Sequence, residues 1–185
     1  MSLVVDLRTR FPARQDILPV FAVIAVVVYS WTLYRLAYFI PGWLKAMTLG
    51  ESLAVAAYGF VFDLFESLLI LLALLCLAFI LPARLFREKF TSQSVIIVLV
   101  MAVAAITLQD NIAIFYDSQP DQFRYALLGA LLFFVVLWLL SFILAHRIGA
   151  FDRWLRSLAD RAIVFLYLYV PLSIIGLLVV FVRNL

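Results

Sequence analysis

Five long apolar runs, with most of the charge gathered between them, constrain this chain more than any motif it carries. A run of eighteen or more apolar residues is long enough to cross a bilayer as a helix, at about 1.5 Å per residue over a hydrocarbon core of about 30 Å. The runs show no alternation of apolar and polar residues, which excludes strands. A lipid interior also demands that each segment satisfy its own backbone hydrogen bonds. The pattern predicts an all-α polytopic membrane protein, a single domain over residues 1–185, with spans near 17–40, 53–81, 92–115, 124–145 and 161–182. Composition agrees: 68% of residues are hydrophobic and only 14% charged, against about a quarter charged in soluble domains. The first run follows Arg8, Arg10 and Arg14 but is too long for the core of a cleaved signal peptide, so it reads as an uncleaved helix.

Lysine and arginine placement sets the expected direction. Arg8, Arg10 and Arg14, then Arg84, Arg87 and Lys89, then Arg147, Arg153, Arg156 and Arg161 fall on one side. Lys45, Arg124 and Arg183 fall on the other. Ten against three predicts a cytoplasmic N-terminus and an extracytoplasmic C-terminus. Arg84, Arg87, Lys89, Arg153 and Arg156 are expected to meet the headgroups of the lipid bilayer. Within 148–158, Ile148, Phe151, Trp154, Leu155 and Leu158 recur at helical spacing among those arginines. This fits either a short amphipathic helix on the interface or a solvated connector with a few anchors.

Charge inside the spans is costly, at about 2.5–3.5 kcal/mol for an Asp or Arg at a helix centre, so each such residue needs a partner. Arg35, Asp63, Glu66 and Asp110 are of this kind. Arg35 and Asp110 lie at similar depth from the outer side, with Asp63 within reach of a long arginine side chain. The sequence therefore predicts an Arg35–Asp63–Asp110 cluster, with Tyr29, Tyr34, Gln109 and Asn111 as hydrogen-bond partners. Two roles stay open for it: a network that fixes helix packing, or a pocket for a headgroup, ion or proton. Glu66, deepest and without a cation, is the expected proton carrier if there is one. No His, Cys or acidic set has metal-ligand spacing, and the serines have no nearby histidine to activate them. Cys76 is the sole cysteine and His146 the sole histidine. No cofactor is expected, no nucleic-acid motif is present, and catalysis has no visible motif.

The stretch from Glu51 to Leu64 contains Tyr58-Gly59 and Phe62-Asp63-Leu64, and helix 1 contains Tyr34-Arg35. Asp110 is followed by Phe115 and Tyr116. Together these resemble the N-terminal five-helix membrane domain of lipoteichoic acid synthase-type proteins of the sulfatase and alkaline-phosphatase superfamily. The resemblance covers residues 17–116. It implies five spans, a cytoplasmic N-terminus, a bacterial inner membrane and an extracytoplasmic catalytic domain after the fifth helix. The chain stops at Leu185, where that domain would begin. A non-catalytic membrane subunit follows from this. It would dock an extracytoplasmic sulfatase-fold enzyme or transferase, or supply it with a lipid-linked substrate, alone or as a homo-oligomer. The intramembrane acids support a different expectation, a small proton- or ion-coupled transporter or channel component.

Overall fold

The computed structural model describes residues 12–81, 86–110 and 120–185. The described residues form five long helices: α1 (Arg14–Ala46), α2 (Leu49–Ile80), α3 (Phe90–Asp110), α4 (Pro120–Arg147) and α5 (Gly149–Asn184). A 3₁₀ turn, Arg87–Lys89, leads into α3, and no strand occurs among the described residues. All five are long and apolar enough to cross a membrane.

Most helices run past the apolar stretches that predict them, because backbone bonding continues where polar side chains re-enter water. The α1–α2 connection is only Met47–Thr48. Thr48 ends it with a capping box: its Oγ1 accepts from the Glu51 backbone N–H at 3.3 Å, and the Glu51 carboxylate accepts from the Thr48 N–H at 2.8 Å. Two of the otherwise unpaired donors at the start of α2 are thereby satisfied. Between α4 and α5 the link is the single residue Ile148. The amphipathic stretch 148–158 is thus not a separate interfacial element. Its residues from Gly149 onward form the first turns of α5, which continues through Pro171 to Asn184.

Helix α1 lies at the centre. Val20, Ala22, Val23, Ile24 and Ala25 are all buried, and five buried residues among six consecutive positions leave no free face. Around it pack α2, α3 and α5, while α4 rests against α3 and α5. The apolar core is concentrated in the half of the bundle where α1, α3 and α5 begin and α2 and α4 end. Phe86, Phe90, Val95, Leu155 and Ala159 join α1 there. This half carries Arg14, Lys89, Arg147, Arg153, Arg156 and Arg161 and is called the basic end below.

Helices α2 and α5 approach closely through small residues: Ala57 lies against Gly176 and the Phe60 carbonyl against Ser173, with Ala57, Ser173 and Gly176 all buried. A Cβ added at Gly176 would lie 2.9 Å from the Ala57 carbonyl oxygen, so only glycine fits. In lipid, where water supplies no hydrophobic drive between helices, such close backbone approach is a main source of cohesion.

Candidate functional site

Midway along the bundle, α1, α2 and α5 bring polar side chains together. The Tyr29 hydroxyl from α1 hydrogen-bonds the Ser173 hydroxyl from α5, and Ser173 Oγ lies 3.2 Å from the Phe60 carbonyl of α2. The Tyr29 ring stacks on Tyr169 at 4.6 Å between centroids. One turn along α1, Thr32 Oγ1 donates to Asp63 Oδ1 at 2.7 Å. Asp63 is only 4% exposed; its Oδ2 and the Ser67 Oγ one turn away are buried with no protein partner. The helix positions explain the meeting. Tyr29 and Thr32 lie on one side of α1, and Phe60, Asp63 and Ser67 on one side of α2, at helical spacings of three and four.

The cluster predicted from sequence is not assembled in this form. Asp63 is held by Thr32 and not by Arg35, whose guanidinium lies over the Phe39 ring at 5.5 Å. The reason is azimuth: Asp63 is buried on the inner side of α2, whereas Arg35 is on an exposed side of α1. The Asp110 side chain and Asn111 lie outside the described residues. Gln109 and Tyr34 are exposed. Glu66 lies on the exposed face of α2, turned away from Asp63 and the bundle interior. Three residues beyond Asp63 is a rotation of about 60°, enough to carry it from the inner face to the outer one. Tyr29, one of the hydrogen-bond partners the sequence assigns to the cluster, bonds Ser173 of α5; Thr32 and Ser173 carry no signal beyond being hydroxyls inside apolar runs.

A second polar group sits at the basic end. The run Thr91-Ser92-Gln93-Ser94, at the start of α3, is wholly buried. Thr91 Oγ1 donates to Asp16 of α1 at 3.2 Å, and Ser92 Oγ donates to Asp152 of α5 at 2.5 Å. Gln93 Nε2 lies 3.3 Å from His146 Nδ1 of α4. Lys89 Nζ donates to the Ala145 carbonyl at 2.7 Å, capping the last turn of α4 where the helix dipole is negative. Four helices are tied here through one short polar segment. Lys89 therefore clamps the end of α4 to the start of α3. Arg156 pairs with Asp152 at 3.4 Å, Arg153 is exposed, and Arg84 and the Arg87 side chain lie outside the described residues. The sequence did carry a signal in four uncharged polar residues opening an apolar run; Thr91, Ser92 and Gln93 bond other helices, while Gln93 Oε1 and Ser94 Oγ are buried with no protein partner.

Among the described residues no group of three His, Cys, Asp or Glu side chains is placed to hold a metal ion. Both polar groups consist chiefly of neighbours that bond one another, which is what interhelical packing in lipid uses. The fold and these centres define a helical, multi-pass membrane protein. No family model, curated protein or solved structure matches the chain.

Proposed function

We propose that the chain is a non-catalytic membrane subunit that docks, or supplies lipid-linked substrate to, a cell-envelope enzyme acting on the extracytoplasmic side. The observation that carries this reading is the outer face of α2. Phe62, Phe65, Leu69 and Leu72 are exposed along it, with Glu66 in their midst and near the middle of the helix. Glu66 has no hydrogen-bond or ion-pair partner among the described residues. A carboxyl group facing lipid at that depth is unfavourable, and a partner helix bringing a donor relieves it. The lysine and arginine distribution supports a cytoplasmic basic end and an extracytoplasmic end of α5, and the resemblance to the sulfatase-type membrane domains implies a bacterial inner membrane. The resemblance to the sulfatase-type membrane domains supports the class of partner. Its motif residues also have packing work: Gly59 faces Thr32, Asp63 bonds Thr32, and Tyr58 accepts from Asn184 at 2.6 Å.

The test places a photo-crosslinking residue at Phe62 or Leu69 and maps the product in native membranes. A crosslink to a membrane helix of an envelope enzyme, lost in Glu66→Leu, is expected. Crosslinks to lipid alone would count against docking. The transporter reading rests on one separate observation, the unpartnered Asp63 Oδ2 and Ser67 Oγ. Unchanged ion or proton flux in liposomes bearing Asp63→Asn would remove it.

A further inference from the structure

A groove of about 490 Å³ opens at the basic end between α1, α3 and α5. Pockets that hold small molecules span about 300–1,000 Å³, so it is large enough for a substantial ligand. Its walls are apolar for most of their length, with Val27 from α1, Leu99 from α3 and Phe165 from α5. Trp154, Ser157 and Arg161 line it as well. Residues 154, 157, 161 and 165 follow one face of α5, so the polar part of the groove passes directly into the apolar part. The stacking of Tyr29 on Tyr169 sets the register of the parallel helices α1 and α5 and places Arg161 roughly level with Phe21. That is about one turn inside the apolar stretch that opens at Ile17. Arg161 is exposed and in no ion pair among the described residues, whereas nearby Arg156 is paired with Asp152.

We infer that this groove binds one anionic phospholipid, its phosphate at Arg161 and one acyl chain along Val27, Leu99 and Phe165. The chemistry on the two parts of the groove matches the two parts of that molecule. A guanidinium supplies a forked pair of donors suited to phosphate oxygens. The Ser157 hydroxyl and Trp154 indole N–H are neutral donors from the same face, and tryptophan favours the headgroup level of a bilayer. Basic pockets between membrane helices bind anionic headgroups in this way. An arginine one turn below the interface reaches a phosphate by extending its aliphatic stem along the groove wall. The site lies away from the Glu66 face and stands whether or not a protein docks there.

The test is lipid retention by the full chain. The protein is reconstituted with equal phosphatidylglycerol and phosphatidylcholine, extracted in mild detergent, and its bound lipid counted by native mass spectrometry. One phosphatidylglycerol per chain is expected, in preference to phosphatidylcholine. Arg161→Gln is expected to lower that preference about fivefold, the weight of one cation at an anionic surface. Arg147→Gln, which removes an exposed charge at the same end but away from the groove, should leave it unchanged. Val27→Trp, which fills the apolar part and keeps the charge, should expel the lipid. Inorganic phosphate titrated against the delipidated protein should not bind. Equal retention of both lipids, an equal loss in Arg147→Gln, or phosphate binding without lipid preference would each overturn the assignment.

Discussion

Helices α1 and α4 are both long apolar spans, yet they occupy opposite positions in the bundle. The most apolar window of α4 has a mean hydropathy of 2.9 and none of it is buried; that of α1 has 2.1 and is 44% buried. The other three fall between in the same inverse order: α3 at 2.2 and 39%, α2 at 2.4 and 22%, α5 at 2.6 and 17%. A soluble protein would reverse this ranking. In lipid, a side chain facing outward must be apolar, whereas the interior accommodates alanine, glycine, serine, threonine and a bonded tyrosine because they permit close approach or pair across helices. The least apolar helix is therefore the one with most to bond, and it takes the centre.

The contrast gives an ordered set of substitutions. Gly176→Val should have the largest effect, because even its first added carbon meets the Ala57 carbonyl at 2.9 Å. Loss of the folded bundle, read by size-exclusion profile and helix content in detergent, is expected; a wild-type profile would show that α2 and α5 are not tightly apposed. Ile24→Ala, in the fully buried stretch of α1, should cost about 2–5 kcal/mol in a reversible unfolding titration. Next comes the Tyr29–Ser173 pair, where Tyr29→Phe and Ser173→Ala in a double-mutant cycle should show coupling of about 0.6–1.7 kcal/mol. Zero coupling would mean that the hydroxyls find equally good partners elsewhere. Leu132→Ala on α4, exposed to lipid, should change stability by less than about 0.5 kcal/mol. A cost comparable to that of Ile24→Ala would break the comparison, since it would place α4 inside an interface.

Much of the architecture is legible in the residues, and the illegible part has a common cause. Five spans follow from run length alone, because the bilayer fixes what a crossing segment must look like. Which helix is central does not follow from length. Nor does it follow from small residues, since the buried run from Val20 to Tyr29 holds only Ala22 and Ala25 among larger apolar side chains and α2 is richer in alanine, glycine and serine. The merging of 149–158 with the last span was hidden because an amphipathic pattern specifies a helix and a face but not whether the helix bends at Ala159. The Arg35–Asp63–Asp110 cluster failed for a related reason. Depth along each span was counted from sequence, but azimuth around the bundle was not. Asp63 turns toward Thr32, Arg35 lies over Phe39, and Glu66 faces outward, and each of these is a rotation rather than a depth.

Ser173 bears on the order in which the bundle comes together. Its single hydroxyl proton has acceptors in the Tyr169 carbonyl at 3.0 Å, on its own helix, and in the Phe60 carbonyl and Tyr29 hydroxyl on the two neighbours. A newly inserted α5 can thus rest in lipid with that proton donated to its own backbone, needing no other segment. Asp63 has no such shelter among the described contacts, since its protein donor is Thr32 of α1. During membrane insertion α2 gains most by associating with α1, already synthesised ahead of it and joined by two residues. α5, the last of these five to emerge and content by itself, can wait beside them and close the bundle by turning one hydroxyl.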